Sequence, residues 1–345
     1  MIGNRKKMRD HRAFPSPTNG EMWMKNIFIV NPVAGGRDVS DELGRTMSIA
    51  AQKAGVPRED YVITRTTHAG HARELAESYA RTGEHVRLFA VGGDGTLNEV
   101  LSGAYPYKNA AVGCIPYGSG NDFLRNFGAK EEFLDLADQL QGQEMDIDLF
   151  HTEYGVGASI CSAGLDAQIA YGIPKFRRLP LCGGETAYRL SILQNLMGPL
   201  GRTLRITLDD RTITEECLMT AICNGGYYGG GFRAAPDCAM DDGLLDVMVV
   251  RKTSLLRIAK VLPLYQKGRH IQNGKVIPKL KDVISFFRCK SVKLELADSK
   301  KAPIIITVDG ECRPAEGITV TSMPLAGRIV LPGKIFARQQ KRASR

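Results

Sequence analysis

The sequence has no run of about 18 or more apolar residues, the length that a membrane-spanning helix needs. Its apolar runs are short, such as residues 27–30 and 304–308, and have the length of strands. The basic residues near the N-terminus are followed by polar residues and prolines instead of the apolar segment of a signal peptide. We therefore expect a cytoplasmic protein that is not an integral membrane protein.

The sequence also lacks the cysteine spacings of metal sites and of disulfide frameworks. The eight cysteines are scattered, without a CxxC pair or a Cys/His cluster. Structural zinc sites and disulfide frameworks need cysteines at patterned spacings. We expect reduced thiols in apolar surroundings, as is usual in the cytosol.

Several nucleotide- and nucleic-acid-binding signatures are absent. No GxxxxGK[ST] P-loop and no GxGxxG fingerprint occurs, which argues against a P-loop ATPase and a standard dehydrogenase. The formal net charge of +9 favours a polyanionic partner, which can be nucleic acid, an anionic membrane surface or nucleotide phosphates. Because no helix-turn-helix or aromatic RNA-binding pattern accompanies the charge, we expect no nucleic-acid partner.

The first half of the chain alternates strand and helix patterns. Residues 1–23 are polar and aperiodic, and predict a disordered tail. Residues 24–147 then form an α/β pattern, which predicts a parallel sheet covered by helices. Its strand candidates are 26–30, 61–64, 86–91 and 111–115, and its helix candidates lie near 40–54, 70–82 and 96–104.

The second half has many short strand candidates separated by glycine-containing turns, which predicts a β-sandwich over residues 148–321. One of these candidates is a continuous strand at 157–162. Two helix candidates, 186–197 and 254–267, interrupt the strands. Residues 322–340 are predicted to return to the first domain.

The strongest local signal is a buried strand that runs into a glycine-rich turn and a helix at 92–98 (GGDGTLN). Glycines let the backbone approach a phosphate, and the free N–H groups of a helix start favour its negative charge. Asp94 would repel a bare phosphate, so its presence indicates a magnesium ion between carboxylate and phosphates.

Two more glycine-rich turns follow predicted parallel strands, at 31–36 and 116–123. Ligands of open parallel sheets bind outside the carboxyl ends of the strands, so we expect the three turns to converge on one ligand. Thr66 ends another strand. Its hydroxyl can cap the next helix or reach a nucleotide, and the sequence does not choose between these roles.

Together, residues 31–35 (NPVAG), 92–98 (GGDGTLN) and 118–123 (GSGNDF) resemble the catalytic domain of the diacylglycerol kinase, sphingosine kinase and ceramide kinase superfamily. The resemblance is closest to the soluble bacterial diacylglycerol kinases and related lipid kinases. It implies a Rossmann-like N-terminal domain of the NAD-kinase/diacylglycerol-kinase type and a C-terminal β-sandwich. It also implies ATP as co-substrate, Mg²⁺ and a lipid acceptor.

The resemblance also implies roles for single residues. Glu311, in the Asp309-Gly310-Glu311 element, looks like the catalytic base, because an alcohol must lose its proton as it attacks the γ-phosphate. Since Asp-Gly is also a hairpin signal, a solvated turn residue is the alternative. The residues implied to hold ATP are Asn31, Thr66, Gly92, Gly93, Asp94, Gly95, Thr96, Leu97, Asn98 and Ser119.

A second magnesium site is implied around Asp242. Similar kinases hold a structural ion through one aspartate and two main-chain carbonyls, which here correspond to Asp242, Ala239 and Leu244. Oxygen ligands of this kind suit a hard cation. Asp241 can compete as the ligand, and an ordinary Asp-Asp-Gly turn between strands is the alternative.

A basic segment surrounds an amphipathic helix pattern at 254–267. Such a helix can dock on anionic lipid headgroups, although Pro263 is predicted to interrupt it and a packed helix with a solvated face is the alternative. The sequence leaves the oligomeric state open, including a homodimer. The basic residues are Arg251, Lys252, Arg257, Lys260, Lys267, Arg269, Lys275, Lys279 and Lys281.

These observations predict an ATP-dependent lipid kinase at the inner face of the membrane, with diacylglycerol as the favoured acceptor. Another glycerolipid, a sphingoid base or a polyprenol remain as acceptors. The rival functions are a kinase for a soluble nucleotide, of the NAD kinase type, and a catalytically silent binding regulator. The regulator is disfavoured because Asp94 and Glu311 are both present.

Overall fold

The structure is a computed structural model that describes residues 24–36, 38–177, 184–198, 200–298 and 302–343. The predicted tail at 1–23 and Cys182 lie outside these residues. Unit 1 consists of the described residues up to Ile147 and those from Ala326 onward, and unit 2 is Asp148–Leu325. The sequence analysis placed the divisions after residues 147 and 321.

Unit 1 alternates strands and helices. Its elements are β1 (Lys25–Val30), α1 (Ser40–Ala54), β2 (Tyr61–Arg65), α2 (His71–Ala80), β3 (Val86–Gly92), α3 (Asp94–Ala104), β4 (Ala110–Pro116), α4 (Leu136–Leu140), the start of β5 (Gln143–Thr152), the end of β17 (Gly317–Leu331) and α8 (Gly333–Ala343).

The strands β2, β1, β3 and β4 lie side by side in this order, and every neighbouring pair is parallel. The end of β17 adds a further parallel neighbour to β4, where Ile329 pairs with Val112. From β1 the chain moves outward to β2 and then returns to the other side of β1 as β3. The sheet therefore has a topological switch point between β1 and β3, where ligands of such sheets bind.

Apolar side chains bury this sheet on both faces. Residues 27–30 and 86–91 are buried without interruption, as expected of central parallel strands. Phe28 and Phe89 stack with ring centroids 4.6 Å apart. A Cβ at position 113 would lie 2.3 Å from Phe89 Cδ1, so Gly113 makes room for this ring.

Unit 2 is mostly antiparallel sheet. Its elements are the end of β5, β6 (Gly155–Gly157), β7 (Ile160–Gly164), α5 (Leu165–Arg177), α6 (Gly184–Met197), β8 (Arg202–Leu208), β9 (Arg211–Cys223), β10 (Leu245–Arg251), α7 (Leu255–Gln266), β11 (Ile271–Gln272), β12 (Lys275–Val276), β13 (Ile284–Cys289), β14 (Ser291–Leu296), β15 (Ile304–Val308), β16 (Glu311–Ala315) and the start of β17.

The long strand β9 joins the two halves of this unit. Its first part pairs with β8, which continues through β14 to β17, and its second part lies between β7 and β10. One buried cluster contains Ile206 and Leu294 from the first half and Ile306 and Val249 from the second. Side chains from both halves thus share one core, as in a sandwich. The predicted fold class, a parallel α/β domain followed by a β-sandwich, is confirmed.

The predicted strand at 157–162 is wrong in one respect, because it is divided into β6 and β7. The Asp309 carboxylate accepts hydrogen bonds from the N–H groups of Ala158, Ser159 and Ile160, at 2.6, 3.0 and 2.8 Å. These N–H groups are occupied by a side chain from a distant part of the sequence. Strand pairing is therefore interrupted between β6 and β7.

Helix α7 differs from its prediction because it continues through Pro263. The N–H of Lys267 still donates to the Pro263 carbonyl, at 3.3 Å, so the last turn of the helix forms after the proline. No helix among the described residues is long and apolar enough to cross a membrane. The seven described cysteines are free thiols, and five of them are buried.

Asn224 gives a test of the unit 2 core. Its buried Nδ2 donates to the carbonyls of Asp148 and Ala158, at 2.8 and 2.7 Å. Asn224→Ala leaves both carbonyls without this donor, and should lower the free energy of unfolding by about 2–3 kcal/mol in urea denaturation. Thr212→Val removes only an exposed hydroxyl contact to Thr207 and should change it by less than about 0.5 kcal/mol. Equal effects of the two substitutions would contradict this account.

Candidate active site

The turn between β3 and α3 consists of glycine main chain. Gly93 precedes the helix in an extended conformation, and no side chain caps the first turn. Gly92 has to be glycine, because a Cβ there would lie 2.4 Å from Thr96 Oγ1. The first N–H groups of α3 and its dipole therefore form a site that suits a phosphate.

The turn after β4 touches the turn after β3 directly. The N–H groups of Tyr117 and Gly118 both donate to the Gly92 carbonyl, at 2.8 and 2.9 Å. A Cβ at position 118 would come within 2.3 Å of the Gly93 Cα. Only a residue without a side chain fits where these two turns meet.

The turn after β1 joins the same place. Asn31 Nδ2 donates to Thr96 Oγ1 at 3.0 Å, and Asn31 Oδ1 accepts from the N–H of Val33 at 3.1 Å. Gly35 has a φ of 66°, and a Cβ there would lie 2.3 Å from the Tyr117 carbonyl oxygen. Three glycine-rich turns thus meet at the carboxyl ends of β1, β3 and β4, next to the switch point.

Thr66 lies beside this group without capping α2. Its N–H donates to the Val30 carbonyl at 2.9 Å, so the residue after β2 stays hydrogen-bonded to the end of β1. The cap position of α2 is Gly70, and Glu99 accepts the N–H groups of Gly70 and Ala72 at 3.0 and 3.1 Å. The capping role considered for Thr66 is wrong, and its role toward a nucleotide stays a prediction.

The other residues predicted for ATP divide by exposure. Ser119 is exposed at the tip of the β4 turn, and Gly95 is exposed in the first turn of α3 with open space around its missing Cβ. Asn98 is partly buried one turn further along the helix. Leu97 is buried, so it supports α3 from the core side, and its N–H donates to the Gly93 carbonyl at 3.1 Å.

Two carboxylates face one point beside the turns. A Cβ on Gly120 would lie 2.8 Å from Asp94 Oδ2 and 3.7 Å from Asp122 Oδ2. Asp122 also pairs with Arg125 at 3.1 Å. Within the described residues, no group of three or more His, Cys, Asp or Glu side chains could hold a metal ion. One or two carboxylates completed by phosphate oxygens and water is the usual magnesium site of phosphoryl-transfer proteins, and Asp94 and Asp122 fit it.

Lys130 brings a positive charge to the same turns. Its Nζ donates to the Gly118 carbonyl at 3.0 Å. An ammonium group at this distance favours negative charge nearby, in addition to the N–H groups of α3. The arrangement in unit 1 can therefore hold a polyphosphate together with a divalent cation.

Glu311 opens β16 in unit 2, directly after a tight turn. Asp309 and Gly310 have φ angles of 45° and 95°, as in the hairpin turns that Asp-Gly favours. The Asp309 carboxylate, held by the three N–H groups before β7, fixes this turn. Glu311 pairs with Val308 in the ladder and is exposed. Glu311 thus directly follows a turn that the Asp309 hydrogen bonds hold, and it remains exposed to solvent.

The loop that contains Ala239, Asp242 and Leu244 precedes β10. Asp242 Oδ1 accepts the N–H of Leu244 at 3.0 Å, which is the hydrogen bond of an ordinary Asx turn. Arg288 lies 3.9 Å from Asp242 and 2.7 Å from Asp246. This guanidinium supplies part of the positive charge that a cation would bring.

Asp148 is a buried carboxylate that contacts this loop. It accepts the N–H groups of Gly243 and Leu325, at 2.6 and 2.8 Å. Burial raises the pKa of Asp148, and the charge of Asp241 raises it further. Burial likewise raises the pKa of Asp242. A divalent cation would relieve this repulsion, so the carboxylates fit the implied site, and the ion there stays a prediction.

Sequence reasoning assigned no role to Asp122, Lys130 or Asp148. Asp122 lies in the 118–123 motif, and Asp94 lies in the 92–98 turn. Because both turns follow parallel strands, the sequence could have indicated that the two aspartates lie close together. Lys130 and Asp148 contact these loops across 12 and 95 residues of sequence. No local pattern marks either residue.

Two family descriptions match the chain. "Diacylglycerol kinase catalytic domain" matches residues 25–152, and "YegS C-terminal NAD kinase beta sandwich-like domain" matches residues 159–331, which is half of the chain.

Curated relatives include the diacylglycerol kinase of Bacillus subtilis, 27% identical over 82% of this chain and 88% of the relative. The diacylglycerol kinase of Staphylococcus carnosus is 26% identical over 82% and 87%. Among solved structures, a diacylglycerol kinase from Bacillus anthracis superposes with a TM-score of 0.63 at 20% identity, covering 90% of this chain and 98% of that one. This structural similarity shows that the two proteins share a fold.

Gly118→Ala tests the meeting of the turns. The added methyl group would push against the Gly93 backbone, so we expect the dissociation constant for ATP to rise at least about tenfold in calorimetric titration. Gly44→Ala is the matched control, because a Cβ there meets nothing within 4 Å inside α1. Circular dichroism checks that both variants fold. Unchanged ATP affinity in a folded Gly118→Ala variant would contradict the proposed site.

The cation loop can be tested with magnesium alone. If Asp242 is the ligand, Mg²⁺ should raise the thermal midpoint of wild type and of Asp241→Asn, because an ion that binds only the folded state stabilises it. The rise should disappear in Asp242→Asn. An equal rise in both variants would reject Asp242 as the ligand, and loss only in Asp241→Asn would transfer that role to Asp241.

Proposed function

This chain belongs to the diacylglycerol kinase family, and we propose on that basis that it transfers the γ-phosphate of ATP to the hydroxyl group of diacylglycerol, giving phosphatidic acid. The observation that carries the proposal is the meeting of three glycine-rich turns beside the uncapped start of α3. Main-chain N–H groups at such a place bind the phosphates of a nucleotide. The relatives named diacylglycerol kinase support the choice of acceptor.

In this proposal, unit 1 binds the triphosphate of ATP. The N–H groups of α3 and the Lys130 ammonium group act on the phosphate oxygens, and Asn31 holds the Thr96 hydroxyl in place. Asp94 and Asp122 would hold a magnesium ion, which supplies positive charge against the phosphates. Because Gly93 and Gly118 carry no side chains, the backbone can approach the ligand closely.

Glu311 is proposed as the general base. As the acceptor oxygen attacks the γ-phosphorus, its proton passes to a Glu311 carboxylate oxygen, and the bond to the β-phosphate oxygen breaks so that ADP leaves. Asp309 is a positioning residue, because it fixes the turn on which Glu311 stands. The exposure of Glu311 supports this role, since a base must reach its substrate.

The acceptor distinguishes this function from its rivals. The matching sandwich description is NAD kinase-like, so a soluble nucleotide acceptor deserves a direct comparison. We propose a peripheral location at the inner face of the membrane, where a cytoplasmic enzyme meets diacylglycerol. An assay with labelled ATP against diacylglycerol, a sphingoid base, a polyprenol and NAD tests the proposal. Label appearing only in NADP would reject a lipid acceptor.

Glu311→Gln tests the general base. The amide keeps the shape of the side chain but accepts no proton, so we expect kcat to fall by about 10²–10⁴-fold. The dissociation constant for ATP should change by less than about twofold, because unit 1 supplies the proposed nucleotide contacts.

Glu316→Gln is the matched control, since Glu316 is exposed at the other end of β16. It should keep the wild-type kcat. Full activity in Glu311→Gln would reject Glu311 as the base, and a parallel loss in Glu316→Gln would show that the assay reports a general loss of negative charge.

A further inference from the structure

The outward face of α7 is apolar. Leu255, Leu256 and Leu262 are 51%, 79% and 48% exposed. The inward face of the same helix carries Val261 and Tyr265, which are buried in a core cluster of unit 2. The exposed leucines therefore do not contribute to this core.

The exposed apolar residues lie together on one side of the helix. With 3.6 residues per turn, Leu262, Leu255, Ala259, Pro263 and Leu256 lie in this order around the outward face of α7, and Lys267 and Lys260 lie at one edge of it. All seven are exposed. We call these seven residues the α7 surface. The polar Gln266 shares this face at the C-terminal end of the helix. An apolar stripe with lysines along its margin is the arrangement of helices that lie in a membrane interface.

The sequence around α7 contains no acidic residue. From Lys252 to Lys281 there is no Asp or Glu, and there are eight Lys and Arg residues. Lys252 pairs with Glu216 at 2.8 Å and Arg257 with Asp282 at 2.9 Å. Neither Lys260 nor Lys267 has an acidic partner within 4 Å among the described residues. Their charge is therefore available to an anionic surface.

From this combination we propose that the α7 surface inserts into an anionic lipid bilayer and holds unit 2 on the membrane. Apolar side chains would enter the boundary between headgroups and acyl chains, and the two lysines would contact the anionic headgroups. The purpose of this contact rests on the proposed function, because diacylglycerol lies in the bilayer. The binding itself can be measured without catalysis.

Vesicle sedimentation with the full chain tests the binding. Wild type should bind phosphatidylcholine vesicles that contain phosphatidylglycerol, and bind pure phosphatidylcholine at least about tenfold more weakly. Leu255→Ser/Leu256→Ser should weaken binding to the anionic vesicles at least about tenfold. Lys260→Ala/Lys267→Ala should weaken it by roughly tenfold at low salt and by less at high salt.

Ile49→Ser is the matched control. Ile49 is 71% exposed on α1 and stands between Arg45 and Lys53 on the same helix, but it is a single apolar residue. Its substitution should leave vesicle binding unchanged. Wild-type binding by the leucine double variant, or failure of wild type to bind anionic vesicles, would overturn the proposal. An equal loss in Ile49→Ser would do the same.

A kinase assay separates this proposal from the proposed function. With a short-chain diacylglycerol that dissolves as a monomer, the α7 variants should keep the wild-type rate, and with diacylglycerol in vesicles they should lose it. If wild type phosphorylates neither form, the proposed function fails while vesicle binding still decides the role of α7. If the variants lose both rates equally, α7 supports the fold and not the membrane contact.

Discussion

The Gly92 carbonyl accepts hydrogen bonds from two N–H groups of the β4 turn, and the candidate nucleotide site depends on this junction. It holds the two turns so close that a Cβ on Gly118 would lie 2.3 Å from the Gly93 Cα. No side chain caps the first turn of α3 beside this contact. The Asn31 side chain then connects the β1 turn to α3 by its hydrogen bond to Thr96. Main-chain geometry, more than any charged side chain, makes this edge of the sheet suitable for a phosphate.

In unit 2, carboxylates organise the loops in place of glycines. Asp309 binds three consecutive N–H groups, and this one side chain both divides β6 from β7 and fixes the turn before Glu311. Asp148 likewise binds the N–H groups of Gly243, in the loop before β10, and of Leu325, within β17. Each of these carboxylates is satisfied by main-chain donors, so it ties together segments that are far apart in the sequence.

The strands of unit 1 could be predicted to within about two residues, because buried parallel strands appear in sequence as continuous apolar runs. The glycine-rich turns were equally visible, since phosphate binding needs local backbone geometry. Prediction failed where a distant residue decides the outcome. The break before β7 depends on Asp309, and the charge beside Gly118 comes from Lys130. The helix through Pro263 was missed because packing of Val261 and Tyr265 outweighs the local penalty of proline.

Amide hydrogen exchange with and without Mg·ATP tests the central claim most directly, because that claim concerns N–H groups. The account predicts slower exchange in the three turns at 31–36, 92–98 and 116–123 when Mg·ATP is present. Exchange in α1 and in the β11–β12 hairpin should stay unchanged. Unaltered exchange in all three turns at saturating Mg·ATP, or protection confined to other elements, would contradict the account.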